Sequence, residues 1–289
     1  MTTAERYASL SLKFSSMRSS GGLRDRAMQI IRQDPPWRVV RSFRVGADSC
    51  LVHLHNLSGG VLGGDRLQLL VDVGEGANVQ LTSTGATRIY RTRTGKPGAE
   101  SLTRMNVRKN ALLEYIPDQI IPYEDSRFHQ EIAIDLDPHD AGLFCWETIT
   151  PGRTAAGERF AYEKLELRTH LSCDGKLFSL DQFAIEPAQG SPQQTGMLGE
   201  FDCCSTFYIC RTGVDDRRWV ELEGILDQEA ERLSVTAMRW GATRLMEHGI
   251  MVRGVGLHAS QMLASLICFW RIAKMYLYGQ HAVIPRKVH

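Results

Sequence analysis

Apolar and polar residues alternate along most of the first 214 residues of the chain. In RLQLLVDV, for example, Leu67, Leu69 and Val71 share one face, and EIAIDLD repeats the pattern. Alternation with a period of two is typical of β-strands that bury one face. Many such short runs are separated by turn residues, so the sequence predicts a mainly β fold of stacked antiparallel or helical β-sheets.

Three segments predict the connections between these strands. Asp174-Gly175 separates the alternating runs KLELRTHLSC and KLFSLDQFAI, which is the strongest hairpin signal in the chain. Gly74-Glu75-Gly76 separates two more strand-like runs and is interpreted in the same way, as a hairpin turn. The polar segment AQGSPQQTG, residues 188–196, predicts a loop that forms a mobile connection.

The pattern changes after residue 215, where apolar residues come at helical spacing in WVELEGILDQEAERL. Two strand candidates follow, SVTAMRW and GIMVRGV, and a final helix is expected from about Leu257 to Tyr278. We therefore predict a β-rich domain at 1–214. A small helix-strand-strand-helix unit at 215–289 packs on it, and one continuous domain is the alternative.

Composition and charge exclude some classes of partner. The 289 residues include 34 Lys and Arg against 33 Asp and Glu, a formal charge of +1, so no sequence-wide field indicates nucleic acid or anionic lipid. The seven cysteines are odd in number and form no C-x-x-C pair, which favours reduced thiols in a cytosol. A signal-peptide pattern is absent, and Arg271 and Lys274 interrupt the best membrane candidate. We expect a cytoplasmic protein with no membrane span.

Two glycine-rich segments have the spacing of nucleotide-binding motifs. Gly59 to Gly64 matches the glycines of a P-loop, but Asp65-Arg66 stands where Lys-Ser/Thr is required, and a carboxylate there repels phosphate. GVGLHA, residues 254–259, matches a variant of the dinucleotide fingerprint. No acidic residue follows it to hold the ribose. A dinucleotide-binding enzyme and a β-fold hydrolase stay as alternative functions.

Two further segments resemble metal ligands by composition. His53 and His55 in HLH share one face of a predicted strand, but no third ligand is apparent, and a solvated or hydrogen-bonded strand face is the preferred interpretation. DLDPHD, residues 135–140, is more simply a turn between two strands. The residues alone indicate a cytoplasmic interaction protein, or an enzyme of unrecognised type.

Four further segments are distinctive when they are taken together: LHNLSGGVLGGDRL, STGATRIYRT, LEYIPDQIIPYEDSRF and WETITPGRTAAGERF. Their order and approximate spacing resemble those of the urease accessory protein D family, UreD, also called UreH. The N-terminal PPWRVVRSF and the helix-strand-strand-helix end also fit. The resemblance implies a mostly β protein that is not itself an enzyme.

The resemblance also implies partners and a cargo. Such proteins bind apo-urease and the accessory protein UreF, which recruits the GTPase UreG, and the assembly installs two nickel ions in urease. Nickel is expected to pass through the interior of the D protein as a transient Ni²⁺, with no permanently bound cofactor.

The resemblance and the chemistry of nickel together indicate four residues that line such a passage. Asp65 follows the paired glycines, which let the backbone pass where a Cβ would clash. Family comparison adds Glu147, Asp181 and the hydroxyl of Thr87. Oxygen ligands suit transient handling because they bind Ni²⁺ less tightly than thiolates do. The alternative is that these acids form structural pairs with arginines such as Arg88 or Arg153.

The aromatic-rich C-terminal helix is a candidate face for a partner protein, with burial in the core as the alternative. Its large apolar residues are Phe269, Trp270, Met275, Tyr276 and Tyr278.

Overall fold

The computed structural model describes residues 7–16, 27–46 and 48–285. These residues form a mainly β protein, as predicted. The strands are β1 (Tyr7–Phe14), β2 (Met28–Gln33), β3 (Trp37–Arg38), β4 (Ser42–Val45), β5 (Ser49–Asn56), β6 (Arg66–Val73), β7 (Asn78–Ser83), β8 (Thr87–Ile89), β9 (Ala99–Val107), β10 (Leu112–Tyr115), β11 (Ile120–Pro122), β12 (Arg127–Leu136), β13 (Gly142–Ile149), β14 (Lys164–Cys173), β15 (Lys176–Ile185), β16 (Cys203–Arg211), β17 (Met238–Arg244) and β18 (Gly249–Gly256). The helices are α1 (Asp216–Leu233) and α2 (Ala259–Tyr278), with a 3-10 turn at Thr154–Ala156.

The strands belong to two sheets that face each other. The seven-stranded sheet has the order β15-β14-β12-β9-β6-β1-β2, and the eleven-stranded sheet runs β17-β18-β16-β13-β10-β7-β5-β3, with β4, β8 and β11 attached. Strands β1, β6, β9, β12 and β14 pair in parallel, as do β5, β7, β10 and β13. The chain alternates between the sheets, so successive coils stack on one another. The helical alternative of the predicted fold is therefore the one observed.

The two predicted hairpin turns have different outcomes. Asp174 and Gly175 both adopt positive φ and join β14 to the antiparallel β15, which confirms that hairpin. The prediction for Gly74-Glu75-Gly76 is wrong, because this turn leads from β6 in one sheet to β7 in the other. Both flanking strands alternate, and alternation reveals the buried face of a strand but not its partner.

Three apolar clusters hold these layers together. Two lie between the sheets: a large cluster that includes Leu12, Val71 and Ile134, and a small cluster that includes Leu67, Phe128 and Leu165. An outer cluster packs both helices against the other face of the eleven-stranded sheet. Cys203 belongs to the outer cluster and Cys204 to the small one, as expected for adjacent residues on a strand.

The C-terminal unit has the predicted order of helix, two strands and helix. Helix α1 begins after Asp215, whose carboxylate accepts the Arg217 N–H at 2.8 Å. Strand β18 pairs with β16, so the unit continues the eleven-stranded sheet directly. No helix in the described ranges is both long and apolar enough to cross a membrane.

Helix α2 packs by its aromatic face. Phe269 and Trp270 are fully buried in the outer cluster, so the expectation that they form an exposed partner face is wrong. Tyr276 and Tyr278 are half-buried against the same cluster, and Met275 is exposed. Helical spacing places these residues on neighbouring faces of the helix. It does not show whether those faces contact a partner protein or the chain's own sheet.

Candidate functional site

A layer of polar side chains crosses the interior between the large and the small cluster. On β9, Ala99 belongs to the small cluster and Met105 to the large one, and Ser101 and Thr103 lie between them. The same interruption recurs on β12 at Gln130 and on neighbouring strands of both sheets. This polar layer comprises Ser101, Thr103, Gln130, Thr169 and Asp181 of the seven-stranded sheet and Glu147, Thr206 and Arg253 of the eleven-stranded sheet.

A cavity of about 20 Å³ within the layer is lined by Glu147, Thr169, Asp181 and Thr206. The Glu147 carboxylate accepts hydrogen bonds from the Gln130 amide and, at 2.9 Å, from the Thr169 hydroxyl. Burial raises the pKa of Glu147 to about 7, and the nearby Asp181 also raises it, while the two hydrogen bonds oppose the shift. The site thus holds a carboxyl group that exchanges its proton near neutral pH.

Asp181 lies on the opposite wall of this cavity and is part of an ion pair. Its Oδ2 atom accepts a hydrogen bond from the Tyr208 hydroxyl at 2.7 Å and pairs with the guanidinium of Arg253. The Arg253 Nε donates to the Thr206 hydroxyl at 3.1 Å. Burial and the Asp181 charge raise the pKa of Tyr208, so its hydroxyl stays a proton donor to the carboxylate.

A larger cleft of about 260 Å³ lies at the other side of the layer. Thr103, Tyr115 and Gln130 line its inner part, and Thr84 and Gly85 at its mouth are exposed. Burial raises the pKa of Tyr115, whose hydroxyl is hydrogen-bonded to Thr103. Because Gln130 lines the cleft and donates to Glu147, the cleft and the small cavity are joined through one side chain.

The predicted site residues occupy three places. Glu147 and Asp181 come together at the small cavity, and Thr87, the first residue of β8, lines the cleft. Asp65 lies apart from both: it is buried, and its carboxylate accepts the Leu62 N–H at 3.0 Å, which closes the glycine-rich turn. This position favours the structural alternative for Asp65, although its partner is a backbone amide and not an arginine.

The paired glycines form the tight crossing expected of them. Val61 exchanges backbone hydrogen bonds of 2.8 Å with Arg88 and Tyr90. A Cβ on Gly60 would lie 2.6 Å from the Tyr90 ring and 2.7 Å from the Arg88 carbonyl oxygen. Only glycine fits so close to another backbone segment. Residues of the LHNLSGGVLGGDRL segment, Gly59 and Gly60 among them, form one wall of the cleft.

The sequence analysis missed the other six residues of the layer: Ser101, Thr103, Gln130, Thr169, Thr206 and Arg253. The signal for them is present, because each interrupts an apolar series on the inward face of its strand. On β14 the series is Leu165, Leu167, Thr169, Leu171. This interruption can be recognised only when the inward face of every strand is known. The sequence of β18 alone looks like that of an ordinary short strand, because its neighbouring strands cannot be identified from it.

The alternative sites do not have the geometry that their chemistry needs. In GVGLHA, a Cβ on Gly254 would lie 2.3 Å from the Trp240 ring and one on Gly256 2.5 Å from the Met262 sulfur, so packing explains both glycines. In DLDPHD, Asp137 accepts the His139 N–H at 2.8 Å, which confirms a turn. Across 7–16, 27–46 and 48–285, no three His, Cys, Asp or Glu side chains form a group that could hold a metal ion.

Two stacked, coiled sheets that enclose a layer of oxygen donors define the class of this protein: a coiled β protein with a polar interior. The sequence comparisons then identify the particular family. Residues 6–289 match the family described as UreD urease accessory protein. The chain belongs to this family, and it is a urease accessory protein.

Individual relatives agree with the family match. The chain is 37% identical to the urease accessory protein UreD of Herpetosiphon aurantiacus over 256 residues, which is 88% of each chain. It is 28% identical to the protein of the same name from a bovine strain of Staphylococcus aureus over 201 residues, or 70% of each chain. The protein from the Newman strain of that species is 29% identical over the same share. These relatives give no support to a hydrolase or a dinucleotide-binding enzyme.

Proposed function

We propose that this chain is a scaffold in the delivery of nickel to urease. In this proposal it binds apo-urease and UreF, which recruits the GTPase UreG, and it contributes no catalysis of its own. Membership of the urease accessory protein family supports the general role. The observation that carries the finer proposal is the polar layer, because it offers a cation a route across an otherwise apolar interior.

The proposed route leads from the cleft to the end of the layer at Asp181. Thr87 lines the cleft, Gln130 joins the cleft to the small cavity, and Glu147 and Asp181 supply carboxylates there. Ni²⁺ is the cargo of this route. Carboxylate and hydroxyl oxygens suit a conduit because they hold the ion less tightly than thiolates do, and a conduit has to release its ion.

Asp65 has a structural role in this proposal, since its carboxylate closes the turn that forms the cleft wall. We place the protein in the cytoplasm. All seven cysteines are free, which agrees with a reducing compartment, and burial raises the pKa of the Cys204 thiol beside the small cavity to about 11. That thiol is therefore protonated in the metal-free chain.

The route is tested by isosteric changes of its two carboxylates. Glu147→Gln, Asp181→Asn and the double variant are co-expressed with UreF, UreG and urease, and the nickel content of purified urease is measured. We expect all three variants to enter the complex and to deliver less nickel, with the largest loss for the double variant. Glu100→Gln is the matched control, because Glu100 lies on the outer face of β9 and its side chain is 54% exposed.

The outcomes separate route from scaffold. Variants that assemble normally and yield fully loaded urease would overturn the route and leave the scaffold standing. A wild-type chain that forms no complex with UreF and urease would overturn the scaffold itself. Turnover of a small-molecule substrate by the purified chain alone would favour an enzyme instead.

A further inference from the structure

Arg253 holds the position where the polar layer meets solvent. Its Cα pairs with that of Thr206, which pairs in turn with that of Glu147, so the three residues form one row across β18, β16 and β13. The guanidinium reaches the opposite sheet and pairs with Asp181. The positively charged guanidinium of Arg253 therefore already occupies the end of the layer where the carboxylates lie.

The cavity next to Arg253 has little room for a second cation. Its volume of about 20 Å³ is close to that needed for a single water molecule. The Asp181 Oδ2 atom accepts from both Arg253 and Tyr208, and the two oxygens of Glu147 accept from Gln130 and Thr169. In so small a cavity, an entering metal ion meets the partners that these oxygens already have.

Charge identifies the partner that opposes a metal ion most strongly. The guanidinium is always protonated in proteins and repels any cation beside it, whereas Tyr208, Gln130 and Thr169 are neutral donors. The Arg253 side chain is 42% exposed, so it can swing towards solvent without disturbing an apolar cluster. Tyr208 is fully buried and cannot leave in this way.

We infer that Arg253 is an internal counter-cation that competes with divalent metal for Asp181, and that arginine and metal are alternative occupants of this end of the layer. The inference rests on the proposed function for its cargo, Ni²⁺. It gives Arg253 a specific role: competition by the guanidinium keeps the affinity for metal low, so an ion that arrives is released again.

The inference is tested by nickel binding to the purified full chain, without any partner. Arg253→Met removes the charge and keeps a side chain of similar length. We expect it to bind Ni²⁺ at least about tenfold more tightly than the wild type in equilibrium dialysis, since like charges side by side weaken binding strongly. Arg168→Met is the matched control: Arg168 pairs with Glu166 on the outer face of β14, its side chain is 41% exposed, and its loss should leave nickel binding unchanged.

Two further variants separate charge from hydrogen bonding. Tyr208→Phe removes a neutral partner of Asp181 and should tighten nickel binding less than Arg253→Met does. Adding Asp181→Asn to Arg253→Met should return the affinity to the wild-type value or below. Thermal unfolding checks each variant, and Arg253→Gln replaces Arg253→Met if the latter does not fold.

A charge-neutral variant at Arg253 that folds and binds Ni²⁺ no better than the wild type overturns the inference. Tightened binding that survives Asp181→Asn also overturns it, because the ion would then be held elsewhere. The proposed route fails separately: Asp181→Asn would leave urease fully loaded, whatever the isolated Arg253 variant binds.

Discussion

At the scale of single residues, the Glu147 carboxyl group of the polar layer has an altered proton affinity. Its pKa is raised from 4.5 to about 7, chiefly by burial. Protonation of Glu147 stabilises the folded state relative to the unfolded state, because this carboxyl group loses its proton at a lower pH in the unfolded chain. Between pH 4.5 and 7 the unfolded state therefore binds fewer protons, and the free energy of unfolding falls as pH rises.

We therefore predict that Glu147→Gln makes the stability of the protein less dependent on pH. The shift corresponds to roughly 3 kcal/mol lost between pH 4.5 and pH values above 7. Urea unfolding at pH 5.5 and pH 8 measures this, with the outer-face variant Glu100→Gln as control. Equal pH dependence in wild type and Glu147→Gln would contradict the assignment.

A second residue-scale prediction concerns the glycine crossing. Gly60→Ala places a Cβ within 2.7 Å of the Arg88 carbonyl oxygen, so backbone has to move, at a cost of about 1–3 kcal/mol. Gly85→Ala, at the mouth of the same cleft, meets nothing within 4 Å and should change stability by less than about 0.5 kcal/mol. Chemical denaturation distinguishes the two, and equal effects would show that the crossing is not tight.

At the scale of elements, one buried ion pair fixes α2 to the eleven-stranded sheet. The Lys274 Nζ lies 2.8 and 2.9 Å from the two carboxylate oxygens of Glu114, and the Trp270 indole N–H donates to the same group at 2.8 Å. Burial raises the pKa of Glu114, and Lys274 opposes that shift. The carboxylate is therefore tolerated in the outer cluster because it has these partners.

Lys274→Met should lower the free energy of unfolding by about 3–5 kcal/mol, since it leaves a buried carboxylate without its cation. Adding Glu114→Gln should recover part of the loss. The surface variant Lys176→Met, at a side chain that is 77% exposed, should change stability by about 1 kcal/mol or less in the same urea titration. A double variant as unstable as the single one would contradict this account.

Periodicity predicted the elements well and their arrangement less well. Strands, the Asp174-Gly175 hairpin and both C-terminal helices follow from local patterns. The parallel pairing of β6, β9, β12 and β14 does not, because an alternating strand looks the same beside a parallel or an antiparallel neighbour. The turn at 74–76 was misjudged for this reason.

At the scale of the whole molecule, the C-terminal unit shares its sheet with the strands before it. Strand β18 pairs with β16 over eight residue pairs, Cys203–Cys210 against Gly249–Gly256, and the outer cluster joins both helices to β13. We therefore expect 1–214 and 215–289 to unfold together. Calorimetry should show one transition that Lys274→Met moves as a whole, whereas a shift of only one of two transitions would indicate separate domains.

The candidate site was predictable only in part, because the fold brings together residues that are far apart in the sequence. Glu147 and Asp181 were identified through family resemblance, and the structure brings them to one cavity. Arg253 was not, because 72 residues separate it from Asp181 along the chain and only the coiled sheets bring them together. Asp65 follows the paired glycines, the most unusual sequence in the chain, and these glycines allow two backbone segments to pass close to each other.

The polar layer also restricts how the coils align during folding. A strand that slips by one residue turns its apolar face outward, so alternation already rejects that error. A slip by two residues keeps every side chain on its own face, and a uniformly apolar interior would accept it. Here such a slip moves Thr169 or Glu147 into an apolar cluster, where a polar group without a partner costs about 1–3 kcal/mol. The polar layer thus fixes the register of strand pairing, so that each coil pairs with the previous one in a single alignment.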